Sequence, residues 1–296
     1  MKATYINPFT DFGFKKIFGE EASKLVLMDF LRCLLPEINI VDLAFKDKEG
    51  QAKTMEERKA IFDIYCETKE GEQIIIELQK AKQNYFKDRT VFYASFPIQK
   101  QAEKGEWNFK LKAVYCIGIL DFKFDDSSAE KEEVIHMVQL KDQNNKVFYN
   151  KLKFVYLEMP HFKLAEDELK TRLDKWLYFI KHLDDFEAIP KIFEDAIFVQ
   201  AFETAKIANY TQQELDEYED SLKNYRDLKN VIDTAFVEGE IKGIGVGRIE
   251  GKMEGRMEGR MEEKAGLLKI MIKAGEPIEK IIEYTGLTRE QIEKLL

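Results

Sequence analysis

The chain has 296 residues, 45% hydrophobic and 34% charged, with a formal net charge of -9. That length holds one large or two modest domains plus appendages, and its acidic balance excludes broad, nonspecific coating of nucleic acid while leaving room for a local basic groove. No stretch reaches the length of a membrane span, the opening Met1-Lys2-Ala3-Thr4 lacks a signal-peptide apolar run, and Cys33, Cys66 and Cys116 sit scattered in apolar surroundings as reduced core residues, all of which points to the cytoplasm.

Asn7-Pro8-Phe9-Thr10-Asp11 is a turn entering a helix, with Thr10 or Asp11 as its cap. Phe14, Ile17 and Phe18 recur at helical spacing and belong to the core. Lys15 is open between a solvated helix face and a phosphate contact, and Asp11 between a cap and a metal ligand. A second helix is expected over 22–35, stopped by Pro36. Residues 38–45 read as the first strand, and the highly charged 46–59 as a loop.

Residues 61–79 read as a hairpin. Ile61 to Thr68 alternate and are rich in β-branched and aromatic residues, and Ile74-Ile75-Ile76 is the apolar run of a buried strand. The three-residue loop Lys69-Glu70-Gly71 ends on Gly, which takes the left-handed conformation at low cost. With Thr68 facing Glu72, Asp63 falls opposite Glu77, and the period of two puts Gln79 on the face of Glu77. A one-residue slip would send one carboxylate to the other face. Two carboxylates this close repel each other in a half-buried setting. A hard divalent cation such as Mg²⁺ relieves that repulsion through oxygen ligands, and water attack on a phosphodiester is then within reach. The plainer alternative is a solvated hairpin face carrying two ordinary acids.

Lys80-Ala81-Lys82 follows the second strand directly, and its lysines either reach phosphate or are solvated. Residues 85–104 read as a sheet-packing helix with Pro97 inside, and Arg89 and Tyr93, four apart, share one face. Strands are expected over 111–122, 134–140 and 147–157, the last two joined around Asn144-Asn145, with a loop at Asp125-Asp126-Ser127-Ser128. His136, His161 and His182 show no metal-ligand spacing and read as structural. Mixed strands and helices in this order suit a three-layer α/β domain.

Asp63 followed by Glu77-Leu78-Gln79 on the next strand resembles the PD-(D/E)XK nuclease core in its E-x-Q variant. Asp11-Phe12-Gly13-Phe14-Lys15-Lys16-Ile17-Phe18-Gly19 resembles the D-x-x-F-K-x-x-F-G opening of the Rpn-type recombination-promoting nucleases, also called PD-(D/E)XK nuclease family transposases. Arg89, Tyr93 and the 111–120 strand extend the resemblance over residues 1–165. It implies a restriction-endonuclease-like mixed sheet flanked by helices, and a metal-dependent DNA endonuclease that promotes recombination. Asp63 and Glu77 would hold Mg²⁺ or Mn²⁺. Gln79, standing where the superfamily has its name-giving Lys, would orient water or the scissile phosphate. Lys15, Lys82 and Arg89 would contact DNA phosphates.

Residues 166–238 turn helical and acidic, with helices expected over 164–183, 188–208 and 212–236. In 239–264, Gly239, Gly243, Gly247, Gly251, Gly255 and Gly259 recur every four residues, with Met, Glu and Lys/Arg repeating in step. If helical, each residue type forms a column that drifts in the right-handed sense. Each Gly weakens the helix by about 1 kcal/mol, and like charges at i,i+4 weaken it further. A partner presenting opposite charge and exploiting the Gly groove would stabilise it. The segment therefore reads as a self-association element, giving a homo-oligomer, or as a flexible linker. Residues 265–296 form a small helical unit. Pro277 starts a helix, Thr288-Arg289-Glu290-Gln291 is a capping box, and the balance of acids suits protein contact better than a major-groove reader. The rival to the nuclease reading is a noncatalytic binding or regulatory protein that keeps the fold and works through its tail. A strand-transfer enzyme finds no D-D-E or HUH arrangement in support.

Overall fold

The computed structural model describes residues 3–46, 62–103, 105–124 and 133–295. The charged loop expected at 46–59 lies outside the described residues except for Lys46, and the loop at Asp125-Asp126-Ser127-Ser128 lies outside them entirely. The chain divides into two compact units, Met1–Lys229 and Asn230–Leu296.

The first unit is built on a six-stranded mixed sheet. Its strands are β1 (Leu43–Phe45), β2 (Ile64–Thr68), β3 (Gln73–Gln79), β4 (Val114–Leu120), β5 (Ile135–Lys141) and β6 (Val147–Glu158), in the spatial order β1-β2-β3-β4-β6-β5. The β3–β4 and β4–β6 pairs are parallel and the remaining pairs antiparallel. Flanking it are α1 (Asp11–Phe18), α2 (Lys24–Leu34), α3 (Phe86–Lys100), α4 (Arg172–His182), α5 (Ala196–Ala205) and the first part of α6 (Gln212–Lys273). This is the restriction-endonuclease-like α/β architecture that the sequence implied.

The pleat sorts β3 between two cores. Ile74, Ile76 and Leu78 pack with Phe14, Phe18, Phe30, Trp176, Phe179, Phe198 and Phe202 from α1, α2, α4 and α5. Ile75 points the other way, to a second core with Phe62, Tyr65, Cys116, Tyr156 and the α3 residues Phe86 and Ala94. Helices thus cover both faces, which is what lets the parallel strands read as continuous apolar runs.

Local chemistry sets the element ends. Thr10 caps α1, its hydroxyl accepting from the Gly13 N–H at 3.0 Å, and Asp11 is the first helical residue. Gly71 takes φ +90° at the end of its loop, as the hairpin requires. Helix α4 begins at Arg172, later than expected, because Thr171 and Asp174 form a reciprocal capping box. Helix α5 begins at Ala196 because Asp195 caps it. Strand β1 is confined to three residues of pairing with β2. Helix α3 ends at Lys100, and its Val91 and Phe92 are exposed, so it packs on the sheet through a narrower face than its apolar content suggested. His136 and His161 converge on the fully buried Glu158, His136 Nε2 lying 2.8 Å from Oε1, a meeting hidden by their separation in sequence.

Helix α6 runs 62 residues, through the Gly repeat. Its start belongs to the first unit. The Tyr218 hydroxyl accepts from the Asn7 N–H at 2.9 Å, Lys16 pairs with Glu214 at 2.7 Å, and Tyr225 donates to Asp121 at 2.8 Å. In the second unit, α6 continues to a turn at Gly275 and is followed by α7 (Ile278–Thr285) and α8 (Arg289–Leu295). Leu268, Ile281, Leu287 and Ile292 form its small core. The capping box at α8 is present: the Thr288 N–H donates to Gln291 Oε1 at 2.9 Å and the Gln291 N–H to Thr288 Oγ1 at 3.3 Å. Among the described residues no helix is long and apolar enough to cross a membrane.

Candidate active site

The β2–β3 ladder has the register that the Gly71 loop dictates, with Ile64 opposite Ile76 and Glu67 opposite Gln73. Continuing it by one residue sets Asp63 beside Glu77. The Asp63 N–H donates to Glu77 Oε1 at 3.4 Å, and Asp63 Oδ2 accepts from the Leu78 N–H at 2.8 Å. Glu77 and Gln79 follow Ile75 on the face of β3 that looks toward α3, so two polar side chains interrupt an otherwise apolar layer. Both are buried, Glu77 with 8% of its surface exposed.

Arg89, on α3, reaches back over this pair. Its guanidinium lies 3.5 Å from Glu77 Oε2 and 3.5 Å from Gln79 Oε1, donates to Gln83 at 3.0 Å, and stacks over the Tyr93 ring at 4.9 Å from its centre. The Gln79 amide donates to the Ala81 carbonyl at 2.9 Å, which leaves Oε1 as the atom directed at Arg89. From α1, Lys15 Nζ stands 3.8 Å from Asp63 Oδ1. Asp11 lies at the rim, ion-paired to Lys80 at 2.9 Å. Lys82 is exposed on the β3–α3 connection, three residues past Gln79.

The electrostatics are those of a desolvated acid pair. Burial, reinforced by the Asp63 charge, pushes the Glu77 carboxyl up to about 8, against the opposing pull of Arg89. Burial also raises Asp63, although the Leu78 N–H and Lys15 oppose the shift. Such a pair keeps a proton at neutral pH unless a cation replaces it. Among the described residues no cluster of three or more His, Cys, Asp or Glu side chains has ligating geometry. A metal here would rest on the two carboxylates and retained water, which fits Mg²⁺ better than a soft transition metal.

Two neighbours carried no functional reading in the sequence. Gly118 on β4 pairs with Glu77, and a methyl group there would sit 3.0 Å from the Tyr156 ring. The Tyr156 hydroxyl is hydrogen-bonded to Thr90 at 2.7 Å, next to Arg89 in the helix. A lone Gly inside the apolar run of β4 was the available signal of close packing. Gln83, which accepts from Arg89, had no signal of its own.

No curated protein and no solved structure matches the chain. Against protein families, residues 8–235 match the PD-(D/E)XK nuclease family transposases, a span that takes in the whole site and both covering layers of the sheet. With its mixed sheet, its Asp63–Glu77 pair and that match over most of its length, the chain belongs to the PD-(D/E)XK nuclease family transposases.

Proposed function

We propose that this nuclease-family protein is a divalent-metal-dependent DNA endonuclease that hydrolyses phosphodiesters. The observation that carries the reading is the cross-strand pair of carboxylates, the buried Glu77 beside the half-buried Asp63, with an arginine facing Glu77. Family membership supports a nuclease and a divalent cation. Asp63 and Glu77 are the residues to hold the ion, Mg²⁺ or Mn²⁺. When bound, the ion supplies Lewis-acid stabilisation of charge on the phosphate.

The remaining work falls to the chain. Gln79 orients the attacking water or the scissile phosphate through Oε1. Arg89, whose planar fork suits phosphate oxygens, and Lys15 neutralise the backbone at the cut. Lys82, on the exposed connection, contacts phosphate farther along. Asp11 acts indirectly, by holding Lys80. Water attack on phosphorus forms one P–O bond as another breaks, with inversion. Because the chain is acidic overall, DNA binding is weak and salt-sensitive without metal.

In this reading residues 1–165 carry the chemistry, 166–238 brace it, 239–264 associate with another copy, and 265–296 form a protein-contact unit. The protein works in the cytoplasm, where its cuts promote recombination. The test is supercoiled-plasmid nicking with Mg²⁺, Mn²⁺ or EDTA. Cleavage in either metal and none in EDTA supports the reading. A folded protein that cuts in none of them directs attention to a noncatalytic role centred on the tail.

A further inference from the structure

The tail of α6 exposes an apolar column at a spacing of four. Val237, Ile241, Ile249, Met253, Met257 and Met261 all lie on it, interrupted once by Gly245, and Met257 is 66% exposed. Glu250, Glu254, Glu258 and Glu262 follow one residue after the column, and Arg248, Lys252, Arg256 and Arg260 one residue before it. At 100° per residue the acids therefore line one flank of the apolar column and the bases the other. Within the helix, each charge meets only its own sign at i,i+4. Among the described residues, the ion pairs of this unit are Lys242–Glu238 and Lys280–Glu276, and none of these flanking charges takes part.

One occupant satisfies both features. Place a second copy of the helix against the apolar column. In a parallel pair related by a two-fold axis along the helices, the acidic flank of each copy meets the basic flank of the other. In an antiparallel pair, acid meets acid and base meets base. The same logic sets partner orientation through the flanking charges of coiled coils. The four-residue spacing turns the column by about 40° per repeat, so the two helices wrap right-handed. The Gly column lies nearly opposite the apolar one. A methyl group on Gly251 or Gly255 meets nothing within 4 Å, so the helix itself accommodates alanine at those positions.

We propose that two chains pair through parallel, in-register α6 tails, with the 249–261 apolar column as the seam and the acidic column of each copy facing the basic column of the other. This rests on the self-association assigned to the tail above, and names its geometry.

The test uses the full chain in a Cys33→Ser background, since Cys66 and Cys116 are buried. Ile249→Cys and Met261→Cys are made separately, about 18 Å apart along the helix. Sedimentation equilibrium gives the oligomeric state, and disulfide formation under mild oxidation gives the orientation. A dimer in which both variants cross-link to themselves supports the proposal, because only a parallel pair brings each residue to its own copy at two distant points. A dimer in which one or neither cross-links overturns the parallel orientation and leaves self-association standing. A monomer at every concentration overturns both. Two further readouts bear on the seam and the charges. Met253→Glu with Met257→Glu should abolish dimerisation while Gly251→Ala with Gly255→Ala retains it, and the reverse pattern overturns the seam. Raising salt from about 0.05 to about 0.5 M should weaken the dimer several-fold, whereas strengthening would indicate opposed like charges.

Discussion

Asp63 and Glu77 are tied to each other directly: the backbone N–H of Asp63 points at Glu77 Oε1 at 3.4 Å, across the end of the β2–β3 ladder. The distance between the carboxylates is thus set by a hairpin and not by a mobile loop. Fixing two acids together in a largely buried face stores electrostatic repulsion.

The first prediction concerns pH. Glu77 has a folded value of about 8 against 4.5 in an open chain. Between those values the native state binds the extra proton, so this group's relative stabilisation is complete below 4.5 and is lost as pH rises through 8. Glu77→Gln removes the titration. The variant should gain on the wild type with rising pH, by on the order of 5 kcal/mol above both values. Urea unfolding of both proteins without divalent cations, at acid and alkaline pH, measures the gap. A gap that does not change with pH refutes the assignment.

The second concerns divalent cations. Mg²⁺ or Mn²⁺ should raise the Tm and release protons into a weakly buffered solution near pH 7, because the ion takes the place of the proton on Glu77. Calorimetry in two buffers of different ionisation enthalpy reads the release. Asp63→Asn and Glu77→Gln should each lose the Tm shift.

Arg89 makes three contacts at once, to Glu77, Gln79 and Gln83, with Tyr93 beneath. Arg89→Ala should stay folded and lower cleavage by about a hundredfold. Arg89→Lys should recover only part, since an ammonium cannot reproduce the fork. Single-turnover rates at saturating DNA separate this from weaker binding.

Gly118 tests the packing behind the site. Gly118→Ala pushes against the Tyr156 ring, whose hydroxyl holds Thr90 one residue from Arg89. The substitution should cost about 1–3 kcal/mol in stability and reduce the cleavage rate. Wild-type melting and cleavage would show that the site tolerates a shift of α3.

The geometry of the candidate site was legible because local chemistry specified it. A Gly ending a three-residue loop fixed the register, and the register fixed which carboxylates meet. Thr10 and Thr288 were equally readable, since a cap acts within four residues. The Thr171–Asp174 box that starts α4 is just as local, and its spacing was there to be read. What escaped the sequence depended on distant partners: the exposed side of α3 on the sheet beneath it, and the convergence of His136 on Glu158 from another strand. The tail shows the limit differently. Its glycines argue against a helix, yet α6 runs through them.

Whether Asp63 and Glu77 form one metal-dependent cleavage site is decided by plasmid nicking with wild type, Asp63→Ala and Glu77→Ala side by side, in Mg²⁺ and in EDTA, with folding of each checked by circular dichroism. Metal-dependent nicking by the wild type, abolished in both folded variants, is the predicted result. Nicking that persists in either variant would contradict it.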